Sequence, residues 1–302
     1  PPLQPDDNPY LGLKSYSEAD RALFFGREAL AGQLADDLPK RPLTIVLGAS
    51  GAGKTSLVQA GLLPRLRARR DVRWHLLDVI RPGTSPLATL ETLRLPSGET
   101  LGEWCAARGV TLAARPAALG EALRETLQRT GPPSSGQSSP NQPVPDKALL
   151  VVDQLEELFT MGDAPARRDL FLRQIVRALE ALPERLHVVF TLRSDFEPQF
   201  DRPDLRPYWQ PAARFVVPLL NAAELREVIV KPAASLGLRF ESSDLVDEII
   251  AEVAQMPGAL PLLSFTLSEM YVRYLQRQDA AQRVLQILDR TLARQDYQAL
   301  GG

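Results

Sequence analysis

Five short apolar runs punctuate the first 217 residues, and helical patterns fill the stretches between them. Leu43–Leu47 (LTIVL) is brief and β-branched, as suits a buried parallel strand, and Trp74–Ile80 (WHLLDVI) reads as a second strand ended by Arg81-Pro82-Gly83. Ala148–Val152 and Leu186–Leu192 give a third and a fourth, and Phe215–Val217 a short fifth. Leucine spacing over Lys54–Leu66 and from Pro86 to about Gln128 predicts helices, so strands and helices alternate. That alternation predicts an α/β fold with a parallel sheet covered by helices. From Asn221 onward the pattern becomes wholly helical, which places a boundary near Pro218 and a smaller all-α domain after it. The expected organisation is an N-terminal strap over residues 1–40, a core over 41–218 and a helical domain over 219–302. Gly131–Asp146 (GPPSSGQSSPNQPVPD) has almost no apolar side chains and reads as a flexible loop inside the core.

The first strand runs straight into Gly48, Gly53, Lys54 and Thr55 at the G-x-x-x-x-G-K-[ST] spacing of a phosphate-binding loop. Strand, glycine-rich turn and helix occur in the order that this chemistry needs. Backbone N–H groups of Gly48, Ser50, Gly51, Ala52, Gly53 and Ser56 and of the first helical turn would surround the phosphates. Lys54 would reach the β- and γ-phosphates, and the Thr55 hydroxyl would hold Mg²⁺. No N-K-x-D segment that would read guanine is present, so ATP or ADP is the expected nucleotide.

Composition narrows the partners. Thirty-five basic residues nearly balance 37 acidic ones, for a net charge of −2, which gives no reason to expect direct nucleic-acid binding or a membrane surface. Arg65, Arg67, Arg69 and Arg70 cluster where the predicted helix ends, as cations favour. Cys105 is the single cysteine, so an intrachain disulfide is excluded and a cytoplasmic setting is expected. No apolar run reaches the roughly 18 residues that cross a bilayer. The chain begins at Pro1 and stops at Gly301-Gly302 after a helix-like stretch, so it is expected to be a piece of a longer protein. His75 and His187 sit in apolar strands as core-edge residues, with no metal-ligand cluster around them.

In open parallel sheets ligands sit beyond the carboxyl ends of the strands. The third strand leads into Asp153, placed to hold Mg²⁺ through its water shell. A helix starting there would put Asp153 and Glu156 on one face, making Glu156 the candidate for polarising the attacking water, with Glu157 as fallback. The alternative is a pair of carboxylates on a solvated helix start. The fourth strand leads into Arg193, which could read a γ-phosphate or form a plain salt bridge to Asp195 or Glu197.

Six segments in order, NPYLGLKSY (8–16), FFGRE (24–28), GASGAGKTSLVQAGLLPRL (48–66), VVDQLEELF (151–159), TLRSDF (191–196) and PGALPLL (257–263), resemble the motifs of the STAND class of P-loop ATPases, and within it the bacterial novel STAND NTPases. The resemblance implies an AAA+-related nucleotide domain followed by a helical lid, within a multidomain signalling switch. It further implies that Phe25, Gly26 and Arg27 lie against adenine and ribose, helped by Pro9 and Tyr10, and that Pro261 closes over the base. The lid segment departs from the usual Gly-x-Pro, reading Gly258-Ala259-Leu260-Pro261. Gln154 stands where many AAA+ ATPases carry a catalytic glutamate, which argues for slow turnover.

The expectation is therefore a slow, regulatory ATPase module that switches between an ADP-bound inactive and an ATP-bound active state, self-associates on activation, and answers to effector and sensor-repeat domains of the same full-length chain. Defence signalling and transcriptional control are both open outputs. The alternatives are a mechanical AAA+ ATPase, such as a DNA-loading factor or remodeller, and a non-catalytic scaffold with structural nucleotide.

Overall fold

The computed structural model describes residues 3–129, 146–161, 164–203, 205–254, 258–283 and 289–301, with no side chains described over 280–283. The expected Pro- and Ser-rich loop, apart from Asp146, lies outside the described residues, as does Pro257. By contacts the chain divides into two compact units, one of Gln33–Gly48 and Arg65–Val216, the other of Pro1–Gly32, Ala49–Pro64 and Val217–Gly302. No helix among the described residues is long and apolar enough to cross a membrane.

The first unit is built on a five-stranded sheet of β1 (Leu43–Gly48), β2 (Arg73–Leu76), β3 (Asp146–Val152), β4 (Leu186–Arg193) and β5 (Ala213–Val216). All pairings are parallel, in the order β2-β3-β4-β1-β5. Every residue of β1 is buried, and so is β3 from Ala148 onward, which explains why these strands read as continuous apolar runs rather than alternating ones. Alternate residues still separate the faces. Leu43, Ile45 and Leu47 line up with Val188, Phe190 and Leu192, and these pack into one cluster with the helices Leu101–Ala106, Ala118–Arg129 and Pro165–Ala181. Trp104 and Trp209 pack in the same cluster, and Cys105 is a buried free thiol. The second strand is shorter than its apolar run: β2 ends at Leu76, and Ile80 rejoins the sheet as a single bridge to Val152. Arg69, from the arginine cluster, pairs with Asp71 at 2.9 Å and Asp36 at 3.5 Å.

In the second unit, the helix after the phosphate motif runs as Lys54–Ser56, a π-helical stretch Leu57–Leu62, and a final α turn Leu63–Ala68 that continues into the first unit. Its Gly61 leaves room for close neighbours, since a Cβ there would lie 2.9 Å from Ala31 Cβ and 3.1 Å from Phe24. The helices Ala222–Ser235, Ser243–Val253, Leu260–Arg283 and Arg294–Gln298 follow. The first of these opens on a capping box, in which Glu224 N–H donates to the Asn221 side chain at 2.9 Å while Asn221 N–H donates back to the Glu224 carboxylate at 2.8 Å. This part is not wholly helical as the sequence pattern predicts: Arg239–Phe240 (β6) pairs in parallel with Thr291–Leu292 (β7). The pair brings together segments about fifty residues apart, a contact that local periodicity carries no trace of. The N-terminal segment is held on these helices: Asn8 Nδ2 donates to Ser268 Oγ at 2.9 Å and Tyr271 donates to the Gln4 carbonyl at 2.7 Å.

His187, only 3% exposed, lies edge-on to Trp74, with Nδ1 3.0 Å from the Arg41 carbonyl and Nε2 3.1 Å from Lys147 Nζ. The lysine can only donate, so Nε2 accepts and Nδ1 carries the proton. Burial lowers its pKa to about 4, against an ordinary 6.5. The folded state thus binds fewer protons than the unfolded state between those values, and stability falls as pH drops through that window. Between pH 7 and pH 5 the loss should approach about 2 kcal/mol, and His187→Gln should remove most of this slope. Urea unfolding at the two pH values measures it, and an unchanged slope in the variant would assign the pH dependence to other groups.

Candidate functional site

β1 ends on Gly48, and the phosphate motif turns out of the sheet there. Gly51 and Gly53 have φ of +71° and +85°, a region that side chains with Cβ rarely enter, which is why the turn needs glycine at these places. Leu57 N–H bonds to the Gly53 carbonyl at 2.8 Å, closing the first helical turn. Lys54 is 7% exposed and its Nζ donates to the Ala49 carbonyl at 2.9 Å, so the ammonium is curled over the loop that surrounds it. Ser56 Oγ accepts from Tyr16 N–H at 3.1 Å, Ala52 is buried, and Ser50 is exposed.

The same unit brings the loop to the start of the long helix Leu260–Arg283. A Cβ on Gly51 would stand 2.8 Å from the Gly258 carbonyl and 3.1 Å from Pro261 Cδ, and one on Gly258 would stand 3.0 Å from the Ser50 carbonyl. Backbone meets backbone there. Phe25, Gly26 and Arg27 pack on the helix Ala222–Ser235: Gly26, at φ +78°, would put a Cβ 2.9 Å from the Glu224 carbonyl, and Lys231 Nζ lies 5.8 Å from the Phe25 ring. Arg27, 6% exposed, pairs with Glu224 at 3.4 Å and donates to the Pro218 carbonyl; burial lowers its pKa, partly offset by Glu224. Pro9 is buried, and Tyr10 is 2% exposed, with its ring in the helical core and its hydroxyl donating to the Ile229 carbonyl.

In the other unit, the carboxyl ends of β3 and β4 place the acidic chemistry. Val152 stands beside Phe190, so the next residue, Asp153, falls beside Thr191. The Thr191 hydroxyl donates to Asp153 Oδ1 at 2.7 Å and accepts from Gln154 N–H at 2.8 Å. Asp153 Oδ2 takes Nε and Nη2 of Arg81 at 2.9 and 2.8 Å. The sequence-based picture of Asp153 and Glu156 on one helical face is corrected here. Gln154 adopts φ +56°, the only described non-glycine residue with positive φ, and the helix begins at Glu157. Asp153 and Glu156 instead lie on a turn, which the Leu155 N–H bond to the Thr191 carbonyl and the burial of Leu155 and Leu158 hold down. Glu156 is 8% exposed and accepts from Arg193 N–H at 3.3 Å; Glu157 accepts from Gly83 N–H at 2.9 Å.

Arg193 pairs in register with Gly48, so its backbone sits at the root of the phosphate motif. Its guanidinium makes two bonds to Asp195, at 3.1 and 2.7 Å, and lies 5.0 Å from the Phe196 ring. The Asp195 carboxylate raises the Arg193 pKa above its usual value. This is the salt bridge that the sequence left open beside γ-phosphate reading.

Against known proteins, the model of the novel STAND NTPase 1 family matches residues 9–302. The chain belongs to the novel STAND NTPase 1 family. None of the curated proteins matches it. Among solved structures, the Aeropyrum pernix Orc1 protein in complex with DNA is similar over 92% of this chain at 19% identity and a TM-score of 0.53. This chain covers 65% of that one, less than two thirds of its length. A Walker-type ATPase of Pyrococcus abyssi (17% identity, 89% of this chain and 77% of that one, TM-score 0.46) and domain III of the Thermotoga maritima replication initiation protein DnaA (14%, 92% and 92%, 0.45) are also similar. The family makes this novel STAND chain an NTPase module, and the Orc1 likeness bears on the fold alone.

A P-loop NTPase implies Mg²⁺, and the donors present suit it. Thr55 offers a hydroxyl and Asp153 a buried carboxylate, both hard oxygen donors. No group of three or more His, Cys, Asp or Glu residues gathers for a metal among the described residues.

Arg81 and Thr191 were not among the sequence candidates. Arg81 stood in a strand-terminating Arg-Pro-Gly, and Thr191 inside an apolar run. Only the β3–β4 register could have pointed to Thr191. Thr191→Val keeps its shape but strands a buried carboxylate oxygen and an amide, so it should cost about 3 kcal/mol by urea unfolding; a loss under about 0.5 kcal/mol would show that these bonds contribute little. Gly51→Ala should cost about 1–2 kcal/mol from its φ alone and quicken amide exchange at both 50–53 and 258–261. Exchange quickened only at 50–53 would show that the Gly51–Gly258 contact is not held in solution.

Proposed function

We propose that this novel STAND chain is the nucleotide-binding and oligomerisation module of a multidomain signalling ATPase, switched by Mg-ATP binding, slow hydrolysis and ADP retention. The observation that carries this reading is the backbone contact of Ser50-Gly51 with Gly258 and Pro261. A phosphate loop packed against the start of a helical segment can make that segment's position depend on which phosphates are bound. A ligand shifts an equilibrium only by its difference in affinity for the two states, and a γ-phosphate on this loop supplies such a difference.

The roles follow from residue chemistry. Lys54 carries the positive charge for the β- and γ-phosphates, and loop N–H groups from Gly48 to Ser56 bind their oxygens. Mg²⁺, held by Thr55 and through water by Asp153, would neutralise charge on the phosphates. Glu156 is the group proposed to orient the attacking water, and Arg193 to exchange Asp195 for the γ-phosphate. Phe25, Gly26 and Arg27, with Pro9 and Tyr10 behind them, form the adenine side, and Pro261 closes it. Tyr10, with its ring buried, acts by supporting that wall rather than by facing the base. The strap (1–40), core (41–218) and lid (219–302) are the functional divisions proposed. Gln154 following Asp153, in place of glutamate, supports slow rather than motor-like turnover. Self-association on activation, a cytoplasmic setting, and effector and sensor-repeat domains elsewhere in the same protein complete the proposal.

Denaturing the purified protein and chromatographing the released nucleotide should yield near-stoichiometric ADP, and none from Lys54→Ala, which loses the charge on the phosphates. An empty site with rapid, untriggered ATP turnover would replace the switch by a motor, and nucleotide that never exchanges would replace it by a scaffold.

A further inference from the structure

Asp153 is a buried carboxylate that already has a cation. Its side chain is 2% exposed, while that of Arg81, which places two N–H groups on Oδ2, is 46% exposed. Both ends of this contact are fixed in backbone terms. Ile80 N–H bonds to the Val151 carbonyl at 3.0 Å and Asp153 N–H to the Ile80 carbonyl at 2.8 Å, so Arg81 starts alongside Asp153. Two residues on, Gly83, at φ +58°, gives its N–H to the Glu157 carboxylate at 2.9 Å and pins the far side of the Arg81-Pro82-Gly83 turn. The Cα of Arg81 is thus held while its head is half exposed to solvent. Oδ1 is committed differently: it takes the hydroxyl of Thr191, which is fully buried and fixed by the strand register. Of these two partners, the hydroxyl is buried and the guanidinium is within reach of solvent.

We propose that Arg81 is a positioning residue that competes with Mg²⁺ for Asp153 Oδ2, setting how tightly this protein takes its divalent ion. The inference rests on the nucleotide reading given above. A buried carboxylate without a counter-charge is strongly disfavoured, so in metal-free protein the guanidinium neutralises Asp153. A hydrated divalent ion needs the same oxygen as acceptor for its water shell, and Arg81 must yield it. Each favours its own state: the arginine stabilises the metal-free protein, and the energy of its release is subtracted from metal affinity. Once released, the head stays tethered beside the strand ends by its own backbone.

The test is Mn²⁺ binding to the ADP-loaded chain, followed by electron paramagnetic resonance, together with thermal unfolding in EDTA and in Mn²⁺. Arg81→Gln keeps a donor for Asp153 but no charge; it should bind Mn²⁺ roughly tenfold tighter, the order of one charge-assisted contact, while unfolding at a lower temperature in EDTA and recovering in Mn²⁺. Arg81→Lys, a point charge without the planar fork, should fall between the two. Equal or weaker Mn²⁺ binding by Arg81→Gln, with ADP still bound in EDTA, would overturn the competition and leave the nucleotide reading intact. Failure of the parent chain to bind ADP with or without Mn²⁺ would overturn both.

Discussion

The parallel register of β1, β4 and β3 is the constraint on which the strand-end chemistry depends. Gly48 stands beside Arg193, Val152 beside Phe190, and so Asp153 beside Thr191, which brings a phosphate-motif glycine, a basic residue, a hydroxyl and an acid to one end of the sheet. Parallel strands point all their carboxyl ends the same way, and no single segment contains this arrangement. A slip of one residue between β3 and β4 would exchange sheet faces and take the Thr191 hydroxyl away from the carboxylate it supports.

Given that register, the problem the fold must solve is a nearly fully buried carboxylate. Thr191 solves one side of it, and through Gln154 N–H also holds the turn that follows the strand. The left-handed backbone at Gln154 is the cost of that turn, of order 1 kcal/mol or more for a residue with a Cβ, and it lets the chain reverse direction and bury Leu155 and Leu158 at once. Arg81 solves the other side with a partner that solvent can still reach. The site is therefore asymmetric, with a fully buried partner from β4 and a half-exposed one from the turn after β2.

In the unit that carries the phosphate loop, a different economy operates. Gly51 and Gly258 both have positive φ and no side chain, and this lets two turns from opposite ends of the sequence approach backbone to backbone. Any side chain at either position would hold them apart. The N-terminal segment fills the helical core with Tyr10 and bonds Asn8 to Ser268, so these residues belong energetically with the C-terminal helices.

The sequence alone determined the five parallel strands, because buried strands must be apolar, and the phosphate loop, because glycine spacing and a following lysine leave few other meanings. It determined too that His187 sits at the edge of the core, and it offered Asp153 and Arg193 through their places just after apolar runs and Glu156 through its spacing from Asp153. Their contacts were decided only by tertiary structure. The turn at Gln154 replaced a helix face because the Thr191 hydroxyl, from another strand, rewards a conformation that local propensity disfavours. Arg81 came to Asp153 because Ile80 bridges to Val152 after a break in β2, and β6 found β7 across half a hundred residues. Such pairings are between strands and turns distant in the chain, and the periodicity of one segment holds no information about the register of another.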